Sequence, residues 1–260
     1  MTNAKIKLAL GISGAIMLAS GATTVVLSND MAGDDLSSSQ ILQKALANYA
    51  LLTSYSDEGQ IVATMNATTI TTRFTIRLAR PYYYRIEWEQ TIEPSDSTTK
   101  TQVQAVWSLG VGNFLEMGDG PHYEETRGIA LARANEISGG AAGTIPRTFF
   151  NMQWGDPLAG SVFSENRLTD EKVGPVDCYV FTRKMHDQTK TLWIGKRDFL
   201  IHQVRTVTTA EAMQALLNRA AQGNHEIISD PHGFTTTETH THIVLNRQFL
   251  RSDFVPENGE

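Results

Sequence analysis

The chain has 260 residues, 41% of them apolar, and its 28 acidic side chains outnumber 22 basic ones to give a net charge of −6. That balance, with no lysine or arginine cluster interleaved with aromatics, excludes the electrostatic footprint of a nucleic-acid-binding protein. Cys178 is the only cysteine, so no disulfide can form within the chain and stability must come from packing.

Lys5 and Lys7 precede an apolar run from Leu8 to Leu18, the charged-then-apolar order of a signal peptide. Small residues at Ala19-Ser20-Gly21 or Ser20-Gly21-Ala22 suit a signal peptidase, whereas extension of the run to Leu27 approaches the roughly 20 residues that span a bilayer. Residues 1–30 are therefore expected to be a signal peptide or an N-terminal anchor. The protein is expected in the periplasm or otherwise outside the cytoplasm, soluble after cleavage or tethered, with membrane contact confined to this segment. No linker or internal repeat divides the remainder, so residues 31–260 are expected to form one domain.

Serines 37 to 39 can cap a helix whose apolar residues Ile41, Leu42, Ala45, Leu46, Tyr49 and Leu52 recur at helical spacing. From Tyr55 the period changes to two. Phe74, Ile76 and Leu78 alternate with polar residues, as do Tyr82, Tyr84, Ile86 and Trp88, and Pro81 marks the break between two long antiparallel strands. Val103, Ala105, Trp107 and Leu109 continue the alternation, and Gly110 to Gly112 turns toward a shorter strand at Phe114 to Met117. Residues 126–137 and the piece holding Ile145, Phe149, Phe150 and Met152 read as two short helices joined through Gly139, Gly140 and Gly143. Strands return at 173–185, 190–195 and 199–208. A helix capped by Thr209 follows, and a threonine-rich strand from Phe234 to Leu245 comes last.

So many strands and so few helices predict an α+β fold: a large curved antiparallel sheet, a half-open β-barrel, with helices packed on the concave side as a lid. Several features resemble the exported LolA-like superfamily of periplasmic lipoprotein carriers and envelope sensors. They are Tyr49 and Tyr55 followed by Gly59, the Phe74 strand, Arg80-Pro81 with Arg85 behind it, and Leu192-Trp193-Ile194. The stretch 128–150, with Ile137-Ser138-Gly139-Gly140 and Ile145-Pro146, and the strand Val176-Asp177-Cys178-Tyr179 are similar to a branch of predicted periplasmic proteins of unknown function. The resemblance covers nearly the whole of residues 31–260. It implies a half-barrel closed by a helical lid over an apolar cavity, which in the carrier receives acyl chains. Val111-Gly112-Asn113-Phe114 stands where the carrier usually has an Asp-Gly turn, and the helix at 210–222 looks like an insertion, so the carrier's cargo does not transfer with the fold.

No catalytic set emerges. Glu238, His240 and His242 alternate on the last strand, about 7 Å apart, a spacing at which two histidines can share a metal. No cysteine or further carboxylate completes a ligand set, and a solvated outer face explains them. His225-Glu226 lacks the second histidine of a zinc protease, because Ser229 stands in its place. Ser138-Gly139-Gly140 lacks the endings of a phosphate loop or nucleophile elbow and reads as a hinge. Cys178 alternates with Val176 and Val180, as a small core residue would. Arg85, Glu87 and Glu89 read as a charged outward face. No metal or cofactor is expected.

The informative face is apolar. Phe74, Ile76, Leu78, Tyr82, Tyr84, Trp88 and Trp107, with Phe149 from the lid, are expected to line a concave wall for a lipid, an acyl chain or another apolar ligand. The same wall serves equally as a core plugged by the helices. The expected function is that of a non-enzymatic periplasmic binder. The alternative is a membrane-tethered sensor or protein-interaction module, with a filled core and an envelope protein as partner.

Overall fold

The computed structural model describes residues 36–93, 103–118, 120–152, 158, 166–185, 188–221 and 232–256. The expected signal or anchor segment, His225-Glu226 and Ser229 lie outside the described residues. A helix α1 (Ser38–Leu51) opens the fold, and Ser37 caps it: its hydroxyl accepts from the Gln40 amide while the Gln40 side chain accepts from the Ser37 amide. Its buried residues Ile41, Leu42, Ala45 and Tyr49 form the stripe read from the sequence.

Two meanders follow. The first comprises β1 (Ser54–Met65), β2 (Thr68–Ala79), β3 (Tyr83–Glu93), β4 (Gln104–Leu109), β5 (Asn113–Glu116) and β6 (Pro121–Glu124). After helices α2 (Arg127–Ile137) and α3 (Thr144–Phe149), the second comprises β7 (Glu171–Val173), β8 (Val176–Met185), β9 (Gln188–Gly195) and β10 (Ile201–Thr208). Helix α4 (Ala210–Ala221) precedes the last strand, β11 (Phe234–Leu245). The result is one antiparallel sheet of 11 strands, ordered β6-β5-β4-β3-β2-β1-β11-β10-β9-β8-β7 and left open at β6 and β7. The expected α+β half-barrel is what forms. Pairing of β1 with β11 alone joins the two wings, and α2 and α3 lie in the connection between the outer strands.

Cross-strand pairs fix the faces. Phe74 opposes Trp88, Ile76 opposes Ile86, Leu78 opposes Tyr84, and Ile86 opposes Val106. In the other wing Tyr179 opposes Ile194 and Phe181 opposes Leu192. All eleven belong to one buried cluster that also takes Ile41, Tyr49, Leu131, Ile145 and Phe149 from the helices. Truncating such a side chain typically costs about 2–5 kcal/mol, so this inner face is the main source of stability. On the outer face Cys178, Val180 and Trp193 make a smaller cluster. Burial pushes the Cys178 thiol up to about 12, which leaves it a small protonated core residue rather than a nucleophile.

Polar ties hold α1 down, among them the Asn48 side-chain amide, which donates to the Asp198 carbonyl at 2.5 Å. The Tyr49 hydroxyl accepts from the Ile201 amide at 3.1 Å. Arg80, just past the end of β2, donates from Nε to the Leu52 carbonyl at 2.9 Å and from Nη2 to the carbonyls of Tyr49 (3.2 Å) and Phe149. Its guanidinium also stacks 4.7 Å from the centre of the Phe149 ring. One cation thus serves the carboxyl-terminal carbonyls of both α1 and α3, where helix dipoles favour positive charge.

Gly59 sits where β1 passes under the Phe74 ring. A Cβ there would lie 2.3 Å from Phe74 Cζ and 2.4 Å from the Thr239 carbonyl oxygen, and the latter is backbone that cannot swing away. Gly59→Ala is expected to lower stability by about 1–3 kcal/mol through overpacking. Gly128→Ala in α2, where the nearest atom is 3.7 Å away, should instead raise it by about 0.5–1 kcal/mol. Urea unfolding of the two variants reads both signs.

Candidate functional site

At the seam between the wings the inner face holds a buried group of charges. Asp57 of β1 and His240 of β11 have fully buried side chains, with His240 Nδ1 2.7 Å from Asp57 Oδ2. Glu238 Oε1 lies 3.2 Å from His240 Nε2 as an ion pair that is not aligned as a hydrogen bond. The Tyr55 hydroxyl donates to Asp57 Oδ2 at 2.8 Å, and Thr144 at the start of α3 donates to Glu238 Oε2 at 2.6 Å. The Phe74 ring meets the imidazole edge-on, with centroids 5.6 Å apart. It occupies the space that Gly59 leaves open.

Burial alone would drive His240 toward the neutral form, but the Asp57 charge and hydrogen bond, with Glu238 behind them, outweigh it and push the pKa up to about 10. The imidazolium is therefore held between two carboxylates. Burial raises Tyr55 and Tyr49 well above the ordinary tyrosine value, and the nearby Asp57 charge adds to it, so both stay neutral donors or acceptors. The arrangement offers no nucleophile: its one hydroxyl on a lid helix, that of Thr144, spends its proton on Glu238.

This cluster corrects the reading of β11 as a solvated face. Glu238 and His240 point inward, while His242 is 77% exposed beside Glu58, 3.3 Å away. A bulge separates them: Glu58 pairs with Thr241 and Ser56 with Val244, so Asp57 faces two residues of β11, and His242 takes a positive φ of 51°. One extra residue turns the alternation over, which brings Ile243 back to the core. Among the described residues no group of three His, Cys, Asp or Glu could hold a metal ion.

The proposed wall residues divide. Phe74, Ile76, Leu78, Tyr84 and Trp88 share the inner face and are buried with Phe149 of α3. Two are corrected. Tyr82 stands in the turn before β3 and is 58% exposed, since the β-strand period does not extend through Pro81. Trp107 opposes Arg85, one residue out of step with Ile86 and Val106, and so lies on the outer face, stacked on Phe114 at 5.6 Å. There Arg85 is itself buried, paired to Glu87, rather than solvated. The Gly139-Gly140 segment forms a turn with φ of 67° and 134°, values that favour glycine.

Two spaces open on the sheet. A groove of about 630 Å³ on the outer side is lined by side chains of both signs, among them Glu58, Arg73, Glu87 and Glu89. On the inner side a cavity of about 220 Å³ lies against Thr144, Arg147, Lys190, Thr206, Thr236 and Glu238. The apolar part of the inner face is filled by the protein's own side chains: Ile76, Leu78, Tyr84 and Ile86 have no exposed surface.

Among solved structures the chain is similar to LprF from Mycobacterium bovis, with 8% identity over 82% of this chain and 94% of that one and a TM-score of 0.43. It is also similar to the LolA superfamily protein NE2245 from Nitrosomonas europaea, with 12% identity, 85% and 99% coverage and a TM-score of 0.34. A third is a putative outer membrane lipoprotein-sorting protein domain from Vibrio parahaemolyticus, with 12% identity, 82% and 94% coverage and a TM-score of 0.34. The superfamily that the sequence resembles is thus represented among its structural neighbours. No family model and no curated protein matches the chain.

Because the folded pKa of His240 lies above the unfolded value near 6.5, its contribution to stability is fully present below that value and is lost as pH rises through about 10. Urea titrations at pH 7 and 10 are expected to differ by a few kcal/mol, and His240→Ala at pH 7 to cost about 3–5 kcal/mol by stranding two buried carboxylates. In the variant that pH dependence should largely vanish.

Proposed function

We propose that this chain is a non-enzymatic binding protein of the cell envelope that takes up an apolar ligand, a lipid or acyl chain, between the curved sheet and its covering helices. The observation that carries the proposal is the apolar wall of Phe74, Ile76, Leu78, Tyr84, Ile86 and Trp88 beneath helices that lie outside the sheet. Among the described residues α1 and α3 are tied through Arg80, the Tyr49 hydroxyl, the Asn48 amide on the Asp198 carbonyl and the Thr144 hydroxyl, and α2 through the Gln90 amide on the Ile137 carbonyl and the Arg133–Glu124 ion pair. The present geometry is a closed state, so a ligand enters as α1 and α3 shift. Location in the envelope rests on the lysine-then-apolar N-terminal segment and on the resemblance of the sequence to an exported superfamily.

The fully buried state of that wall favours a second reading, an interaction module whose core is permanently filled and whose partner is an envelope protein. The two differ in what happens when the helices are loosened. Arg80→Ala removes a charged donor group worth about 1.5–3 kcal/mol to closure, and a ligand that needs the open state should gain about tenfold or more in apparent affinity.

Titration with a fluorescent fatty-acid analogue, together with mass spectrometry of organic extracts from protein purified out of native membranes, tests the proposal. Co-purifying lipid and tighter probe binding by Arg80→Ala are the expected results. No lipid and no probe response from either protein would leave the interaction module as the function.

A further inference from the structure

The inner cavity differs in chemistry from the wall beside it. Asn135 of α2, Gln188 of β9, Thr206 of β10 and Thr236 of β11 line it, the two threonines directly opposite one another. None of these four side chains makes a hydrogen bond among the described residues, so their amides and hydroxyls keep both donors and acceptors for a ligand. Gly143 permits this lining, because a Cβ there would lie 2.0 Å from Asn135 Oδ1. Glu238 adds a buried acceptor. Its side chain is 9% exposed, Thr144 donates to Oε2 at 2.6 Å, and Oε1, though 3.2 Å from His240 Nε2, accepts no hydrogen bond. A buried carboxylate oxygen without a donor is costly, and a ligand hydroxyl relieves that cost.

Charge and size narrow the choice. Asp57 and Glu238 flank a single imidazolium, which leaves the seam with one negative charge, and Arg147 of α3 in the cavity lining balances it. Lys190, the other cation of the lining, already has a partner. An ion entering this space upsets the balance, whereas an uncharged group leaves it intact. At about 220 Å³ the cavity has room for roughly seven waters at ~30 Å³ each and falls below the ~300 Å³ at which pockets begin to enclose a whole drug-sized ligand. It suits a headgroup and not a tail. Ile61 and Val204 in its lining belong to the same core cluster as Phe74, Ile76 and Trp88, so the polar space adjoins the apolar wall.

Resting on the apolar-ligand reading above, we propose that this cavity receives an uncharged, hydroxyl-bearing headgroup of the ligand, with Glu238 Oε1 accepting from one hydroxyl and Asn135, Gln188, Thr206 and Thr236 meeting the rest. The ligand class is then a neutral amphiphile with a single tail under α1 and α3, of which a monoacylglycerol is the simplest.

Isothermal titration of the full chain with decanoylglycerol, methyl decanoate, decanoate and glycerol tests this, in the wild type, in Thr236→Val and in the Thr206→Val/Thr236→Val double variant. The methyl ester keeps the tail and loses every hydroxyl, decanoate exchanges the hydroxyls for a charge, and glycerol has no tail. Thermal unfolding of each variant serves as the folding control. Decanoylglycerol is expected to bind at least tenfold more tightly than the methyl ester and than decanoate, and the double variant to bring it down to the affinity of the methyl ester. Thr236→Val alone, the milder change, should lose part of the gap. Equal affinity for the glyceride and the methyl ester, or tighter binding of decanoate, overturns the hydroxyl site and leaves the apolar-ligand reading standing. A gap that survives in the folded double variant overturns its placement in this cavity. Glycerol that binds as tightly as decanoylglycerol supports the polar site but removes the tail, and with it the apolar-ligand reading. Binding of none of the four overturns both.

Discussion

The pairing of β1 with β11 is the constraint on which the rest of the architecture depends, because without it the chain is two separate meanders. That seam carries an imidazolium between two carboxylates, His240 and Asp57 with fully buried side chains and Glu238 nearly so. Taking such charges from water costs several kcal/mol each, and their mutual attraction offsets this only when every partner is in place. Asp57 must come from one wing, Glu238 and His240 from the other, and Thr144 from the lid. The cluster is satisfied only in the correct register, with the bulge at His242 formed. A slip of one residue would place Glu238 and His240 outside and leave Asp57 alone within. Charge here specifies the seam, while the apolar wall supplies the stability.

Much of this was legible in the sequence where one period ran unbroken. The helical stripe of α1, the hydroxyl caps and the alternation from Phe74 to Leu78 and from Tyr84 to Trp88 gave the elements, their faces and the class of fold. What could not be read were the places where the period breaks. Trp107 continues an alternation that looks correct within its own strand, but its face is set by which residue of β3 it opposes, Arg85. His242 belongs to an unbroken threonine-histidine alternation, yet a bulge, which has no glycine to announce it, rotates it outward. Asp57 gives no sign in the sequence because its charged partner, His240, is 183 residues away. A single signal was available, the unusual Gly59 in a strand interior, since glycine there marks a close approach. That approach is of Phe74 and the backbone of β11, one residue from His240.

The lid follows from the same arrangement. Helices α2 and α3 lie in the long connection between the strands at the two open edges of the sheet, β6 and β7. Buried Leu131, Ile145 and Phe149 give that connection its apolar underside. Arg80 gathers the ends of α1 and α3 at one rim, and Thr144 ties the start of α3 to the charged seam. Thus α3, only six residues long, is held at both ends by charged groups.

Magnitudes then constrain how an acyl ligand can be accommodated. Each buried methylene contributes about 0.8 kcal/mol, so a chain of some 16 carbons would gain on the order of 12 kcal/mol. Full detachment of α1 and α3 exposes Ile41, Leu42, Tyr49, Ile145, Phe149 and Phe150, at about 1.5–3 kcal/mol apiece and therefore a similar sum. The two terms nearly cancel, and the loss of the Arg80 and Thr144 contacts tips the balance against complete opening. A ligand is accommodated only if the helices slide and keep most of their apolar contact, with the tail replacing the remainder.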